Sequence, residues 1–198
     1  MDNDRLANIS PQDREYFEAL EARISQAHWD FVEYRTMFYE DSDMTLLNET
    51  APHFFGIVQR ALIVSIFTCI RALTDPPESG RKENISLLGL ASRLTASGHP
   101  LADMFSAMAK DYVAKARPVY QAVSKKIAHF DADHVIGENR RTSFAIRGDD
   151  IEVLIDDAAR LLDFSSGTFT IRPKQEQPGG AAEVLRLLRA QGRPLGTS

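Results

Sequence analysis

Between residues 11 and 40 the apolar positions follow a heptad: Phe17, Ile24, Phe31 and Phe38 recur every seven residues, with Leu20, Ala27 and Tyr34 three further on. That spacing keeps one stripe facing a neighbour and predicts a long N-terminal helix lying along a partner helix of similar length. Pro11 suits its start. After the polar Asp41-Ser42-Asp43, Asn48 or Thr50 can cap a second helix running to about Leu73, with Glu49 and Pro52 suited to its first turn. This helix is apolar almost all round, which predicts a central place in a bundle with several neighbours. Asp75-Pro76-Pro77-Glu78-Ser79-Gly80 ends it, because proline restricts φ and lacks an N–H.

Asn84 is placed to cap a short helix from Ile85 to about Ala96, closed by Ser97-Gly98. Leu101, Met104, Phe105, Met108, Tyr112, Ala116, Val119, Val123, Ile127 and Phe130 then continue a helical stripe, with Pro118 expected to kink it by removing a donor and crowding the Ala114 carbonyl. Gly137 to Arg141 reads as a polar loop. Gly148-Asp149-Asp150 opens a further helix with Ile151, Leu154, Ile155, Ala158, Leu161 and Leu162 on one face. Thr142 to Ile146 and Thr168 to Arg172 alone have the β-branched or aromatic character of strands. A Pro/Gly/Gln linker, Lys174 to Gly180, precedes a short Leu-rich helix from Ala181 to Ala190. The expected architecture is an all-α bundle of about five to six helices in residues 1–170, with 171–198 as linker, short C-terminal helix and tail.

Composition narrows the function classes. At 43% hydrophobic and 26% charged over 198 residues the chain is ordinary globular material with enough length for one core. A net charge of -5 argues against a broad, non-specific nucleic-acid surface, which needs many Lys and Arg to neutralise phosphates, while leaving room for a local basic site. The single cysteine, Cys69, excludes an intramolecular disulfide framework and is expected to be buried and inert. No basic start with an apolar run follows Met1, and Phe54 to Leu73 is interrupted by Gln59, Arg60, Ser65, Thr68 and Arg71, so a cytoplasmic protein without a membrane span is expected.

Lys125-Lys126-Ile127-Ala128-His129-Phe130-Asp131 is the stretch where basic, imidazole and carboxylate groups share helical spacing with apolar residues. Lys125 and Lys126 precede His129 by four and three positions, so both reach its face one turn away. Nearby positive charge disfavours protonation of His129, leaving it able to accept a proton near neutral pH while the lysines offset phosphate charge. The same residues would also complement the negative end of a helix dipole without any ligand. His129, Asp131, Asp133 and His134 are all metal-ligand types, but their order matches no known ligand spacing and no metal is expected. Arg60 and Arg71, eleven residues apart, lie on one stripe of the second helix. Arg60 is read as structural, and Arg71 can pair with Asp75 at i, i+4.

Phe54-Phe55-Gly56-Ile57-Val58-Gln59-Arg60-Ala61-Leu62, Arg71-Ala72-Leu73-Thr74-Asp75-Pro76, Asn84-Ile85-Ser86-Leu87 and Lys125 to Asp131 together resemble the HEPN superfamily, in its abortive-infection AbiU-type branch, over roughly residues 29 to 165. The resemblance implies a helical bundle pairing as a homodimer and a metal-independent ribonuclease site, in proteins that serve as toxins or in phage defence. It implies RNA or a nucleotide as ligand, an antitoxin as a further partner, and no cofactor. Active members carry an Arg, a polar residue often Asn, and a His about four to six positions after the Arg. His129 matches the His, whereas Val123 and Ser124 stand where Arg and Asn are expected. On this reading His129 is the candidate general base, with Lys125 and Lys126 beside it, and Arg71, Lys125, Lys126 and Asp131 are the RNA-binding set. A non-catalytic dimer serving as a binding or assembly module is the alternative, since neither Val nor Lys reproduces the bidentate phosphate contact of a guanidinium.

Overall fold

The structure, a computed structural model, describes residues 10–122, 148–166 and 179–191. Its helices are α1 (Pro11–Phe38), α2 (Asp41–Thr50), α3 (Pro52–Leu73), α4 (Leu87–Ala96), α5 (Ala102–Lys115), α6 (Arg117–Ala122), α7 (Gly148–Ser166) and α8 (Ala181–Gln191). A two-residue-per-strand hairpin, β1 (Glu78–Ser79) antiparallel to β2 (Lys82–Glu83), sits between α3 and α4. The fold is all-α, as the periodicity predicts.

The heptad stripe of α1 is the spine of the core. Phe17, Leu20, Ile24, Ala27 and Phe31 are all buried, and α1 packs along α3 as well as against α2, α4, α7 and α8. Ser10 caps α1, its hydroxyl oxygen accepting from the Asp13 N–H at 3.2 Å. The central helix is therefore α1 and not α3. On α3 only Phe55, Ile66, Phe67, Ile70 and Leu73 are buried, while Phe54 is 58% and Ile57 49% exposed. An all-round apolar helix can be central, but one face of α3 is left bare because α1 already occupies the middle. Among the described residues α3 alone is long and apolar enough, by length and composition, to cross a membrane, yet its C-terminal half supplies core residues against α1.

Several boundaries differ from those predicted. Residues 41–50 are helical, so Asn48 and Thr50 lie inside α2, where the Thr50 hydroxyl donates to the Leu46 carbonyl at 2.8 Å and caps nothing. Helix α4 is capped by Ser86, whose hydroxyl accepts from the Gly89 N–H at 3.0 Å. Asn84 instead spans the hairpin turn, donating to the Pro76 carbonyl and the Ser79 hydroxyl, each at 2.8 Å. On α5 the stripe is narrower than its spacing suggests: Phe105 and Tyr112 are buried, whereas Met104 is exposed. The chain breaks at Ala116 and restarts as α6, leaving Pro118 in a first turn where its missing N–H costs nothing. Helix α8 packs a second cluster of Ala181 and Leu185 against Met37, Leu47 and Phe55, with Arg189 paired to the buried Asp43. The two candidate strand segments, the loop at 137–141 and the linker at 174–178 lie outside the described residues.

Candidate functional site

The site is assembled at the C-terminal end of α3, where α6 packs beside it. Thr74 closes the last turn of α3: its N–H bonds the Arg71 carbonyl at 2.9 Å and its hydroxyl donates to the same oxygen at 2.7 Å. With the backbone of Arg71 held there, its half-buried side chain leaves the helix toward α6. The guanidinium carbon lies 5.1 Å from the centroid of the Tyr120 ring, a cation–π stack, and Nε is buried without a hydrogen-bond partner. Arg71 does not pair with Asp75 as its i, i+4 spacing suggests; its guanidinium lies over the Tyr120 ring of α6 instead. Arg60, close to three turns earlier, is exposed.

Tyr120 is 44% exposed, so the stack leaves much of this side chain open to solvent. Arg117, also exposed, precedes it by three residues on α6 and shares its side of the helix. Thr68, one turn before Arg71 on α3, is exposed as well. The arrangement therefore offers two guanidinium groups and an open tyrosine ring on adjoining helices. Tyr120 carries no motif. Its only sequence signal is position: it lies one residue off the apolar stripe formed by Ala116, Val119 and Val123, and an aromatic side chain placed there must face outward.

Val123, Ser124, Lys125, Lys126, His129 and Asp131 lie outside the described residues, as do Asp133 and His134. Of the residues predicted for the site, Arg71 alone has a described environment. Among the described residues no three His, Cys, Asp or Glu side chains gather as a metal site would require. Cys69 is half-buried rather than buried, packed on the main core, and its thiol is pushed up by burial and then by the charge of Asp30.

The Asn84-Ile85-Ser86-Leu87 motif proves to be architectural. Tyr16 of α1 inserts its hydroxyl there, donating to the Asn84 carbonyl at 2.6 Å and accepting from the N–H of the fully buried Ser86 at 2.9 Å. Arg93 covers the Tyr16 ring at 4.7 Å and reaches Asp13 and Glu83, each at 2.7 Å. This clasp fixes α1, the hairpin and α4 together, and so constrains the turn in which α3 ends.

An all-α bundle on a long central helix is consistent with a HEPN-type protein. The profile of the AbiU2 family of HEPN proteins matches residues 14–178, and the chain belongs to that family. The match is wider at both ends than residues 29–165 and stops short of α8. No curated protein and no solved structure matches the chain.

Proposed function

We propose that this abortive-infection HEPN-type protein binds RNA at the α3–α6 end and acts as a weak, metal-independent endoribonuclease in a phage-defence or toxin–antitoxin setting. The observation that carries the reading is the packing of α6 against the end of α3, which sets Arg71 beside the helix whose continuation in sequence is Val123 to Asp131. His129 is the general base toward a ribose 2′-hydroxyl, and Lys125 and Lys126 offset phosphate charge. Cleavage is weak because a β-branched apolar residue, Val123, replaces the guanidinium that would grip the phosphate in two places. The protein works in the cytoplasm as a homodimer, with an antitoxin as a further partner. The heptad of α1 is spent inside the protomer, so pairing uses the bare face of α3 around Phe54 and Ile57.

Incubating the purified protein with total RNA in EDTA tests this. Wild type is expected to cut slowly or barely at all, Val123→Arg to cut faster, and His129→Ala not at all. If Val123→Arg tightens RNA binding without cleavage, the non-catalytic binding module is the correct reading. Cleavage that persists in His129→Ala refutes the assignment of the base.

A further inference from the structure

We infer that Tyr120 and Arg71 form a base-stacking platform for single-stranded RNA, with Arg71 and Arg117 supplying the guanidinium groups that position 123 lacks. This platform rests on the RNA reading above and narrows its ligand to an unpaired strand. The first observation is an imbalance in the stack. Arg71 covers one face of the Tyr120 ring at 5.1 Å, and the ring is still 44% exposed. Tyr112 of the neighbouring helix, by contrast, is buried, at 1% exposure. Here the ring is stacked by a guanidinium and still reaches solvent, and a solvent-exposed aromatic side chain is one on which an unpaired base can stack.

The charges agree with a nucleotide chain and not with an isolated ring. Arg71 projects from α3 and Arg117 from α6, so cations flank the ring from two elements. Neither guanidinium appears in the ion pairs found among the described residues, a state they share with Arg14, Arg23, Arg60 and Arg81, whereas Arg35, Arg93, Arg160, Arg186 and Arg189 all engage carboxylates; what sets Arg71 and Arg117 apart is their place beside Tyr120. In an acidic protein of net charge -5, arginines left without a carboxylate are the ones available to phosphate. A duplex cannot use this surface, because its bases are stacked on each other and paired; a single strand can turn one base onto Tyr120 while adjacent phosphates meet Arg71 and Arg117.

The test is fluorescence anisotropy of the full chain with a labelled 2′-O-methyl RNA about twelve nucleotides long, roughly the site size of one stacking module, beside a hairpin duplex of the same composition. The methylated strand has no free 2′-hydroxyl to support cleavage. Wild type is expected to prefer the single strand. Tyr120→Ala and Arg71→Ala should each weaken binding about tenfold or more, Tyr120→Phe should stay near wild type because it keeps the ring, and Arg71→Lys should fall with Arg71→Ala. Unchanged melting temperatures exclude unfolding as the cause. If wild type binds RNA but Tyr120→Ala and Arg71→Ala bind as well as it does, or the duplex binds as tightly as the single strand, the platform is wrong while the RNA reading stands. If wild type binds neither RNA, the RNA reading itself fails, and the platform with it.

Discussion

Gly89→Ala separates local propensity from tertiary packing by its sign. Residue 89 lies in the first turns of α4, and in an exposed helix interior alanine is favoured over glycine by about 1 kcal/mol. The structure opposes this. A Cβ at residue 89 would stand 1.9 Å from the Tyr16 hydroxyl oxygen, 2.8 Å from the Asn84 carbonyl oxygen and 3.0 Å from Tyr16 Cζ. None of these can retreat cheaply: Tyr16 is 6% exposed with its ring under Arg93, and the Asn84 oxygen is backbone. Pushing the hydroxyl away leaves the buried Ser86 N–H unpaired, which costs about 1–3 kcal/mol, and overpacking costs about as much again. After the propensity gain the net loss is about 1–5 kcal/mol. For a chain of this size that lowers the melting temperature by roughly 2–20 °C.

A double-mutant cycle makes the assignment specific. Tyr16→Phe alone loses the same hydrogen bonds, so it should cost about 1–3 kcal/mol. Once the hydroxyl is gone its loss cannot be incurred again, and only the contacts with Asn84 and Cζ remain. The combined variant is therefore expected to be more stable than the sum of the singles predicts, by about 1–2 kcal/mol. Urea unfolding followed by circular dichroism gives all four corners. A Gly89→Ala protein as stable as wild type, or strict additivity with Tyr16→Phe, would show that the clasp is not packed as described.

Three further outcomes are expected. Asp13 is held low by the Ser10 hydroxyl and by Arg93, and Glu83 chiefly by its hydrogen bond from Arg93, so both contribute stability that is present above the unfolded carboxylate range near pH 4 and is lost as pH falls through their lower folded values. Thermal melts from about pH 7 to about pH 2, a span that brackets that range, should show Arg93→Met losing less stability over the acid limb than wild type, and an equal loss would contradict the assignment. Cys69 should react slowly with a thiol reagent near neutral pH and faster as the pH rises, because burial holds its thiol protonated; rapid stoichiometric labelling at neutral pH would contradict this. Light scattering should show a dimer at micromolar concentration that Ile57→Asp dissociates, and a strict monomer at high micromolar wild-type protein rules pairing out.

The long helices are legible in the sequence because their signal is redundant. The heptad positions of α1 all point the same way: Phe17, Leu20, Ile24, Ala27 and Phe31 are buried, and Tyr34 and Phe38 pack against the two cores from their margins. What is not legible turns on single side chains with more than one job. Asn84 and Ser86 are both good cap residues two positions apart, and periodicity cannot choose between them. The choice is made by Tyr16, far away in sequence, whose hydroxyl takes the Asn84 carbonyl and the Ser86 N–H together. Helix α3 falls outside its expected central place for a related reason: apolarity reports that a surface avoids water, not which of two apolar helices the others surround. The bare face at Phe54 and Ile57 follows once α1 takes the centre.

The site shows the same division between charge, which sequence displays, and partner choice, which it does not. Arg71 stands out as a cation on an apolar helix beside a proline-rich turn. Its local partner by spacing is Asp75, yet its observed partner is Tyr120, which belongs to another helix and is invisible to any rule of i, i+3 or i, i+4 pairing. The difference changes the chemistry. An arginine neutralised by a neighbouring carboxylate would be a poor ligand for phosphate, whereas one stacked on a ring keeps its positive charge and the outward edge of its guanidinium free to donate. Arg71 therefore supplies from α3 a guanidinium that sequence position 123, a valine, does not. On the proposed reading that is enough to hold a strand, and short of the second, closely aimed contact that cutting it would demand.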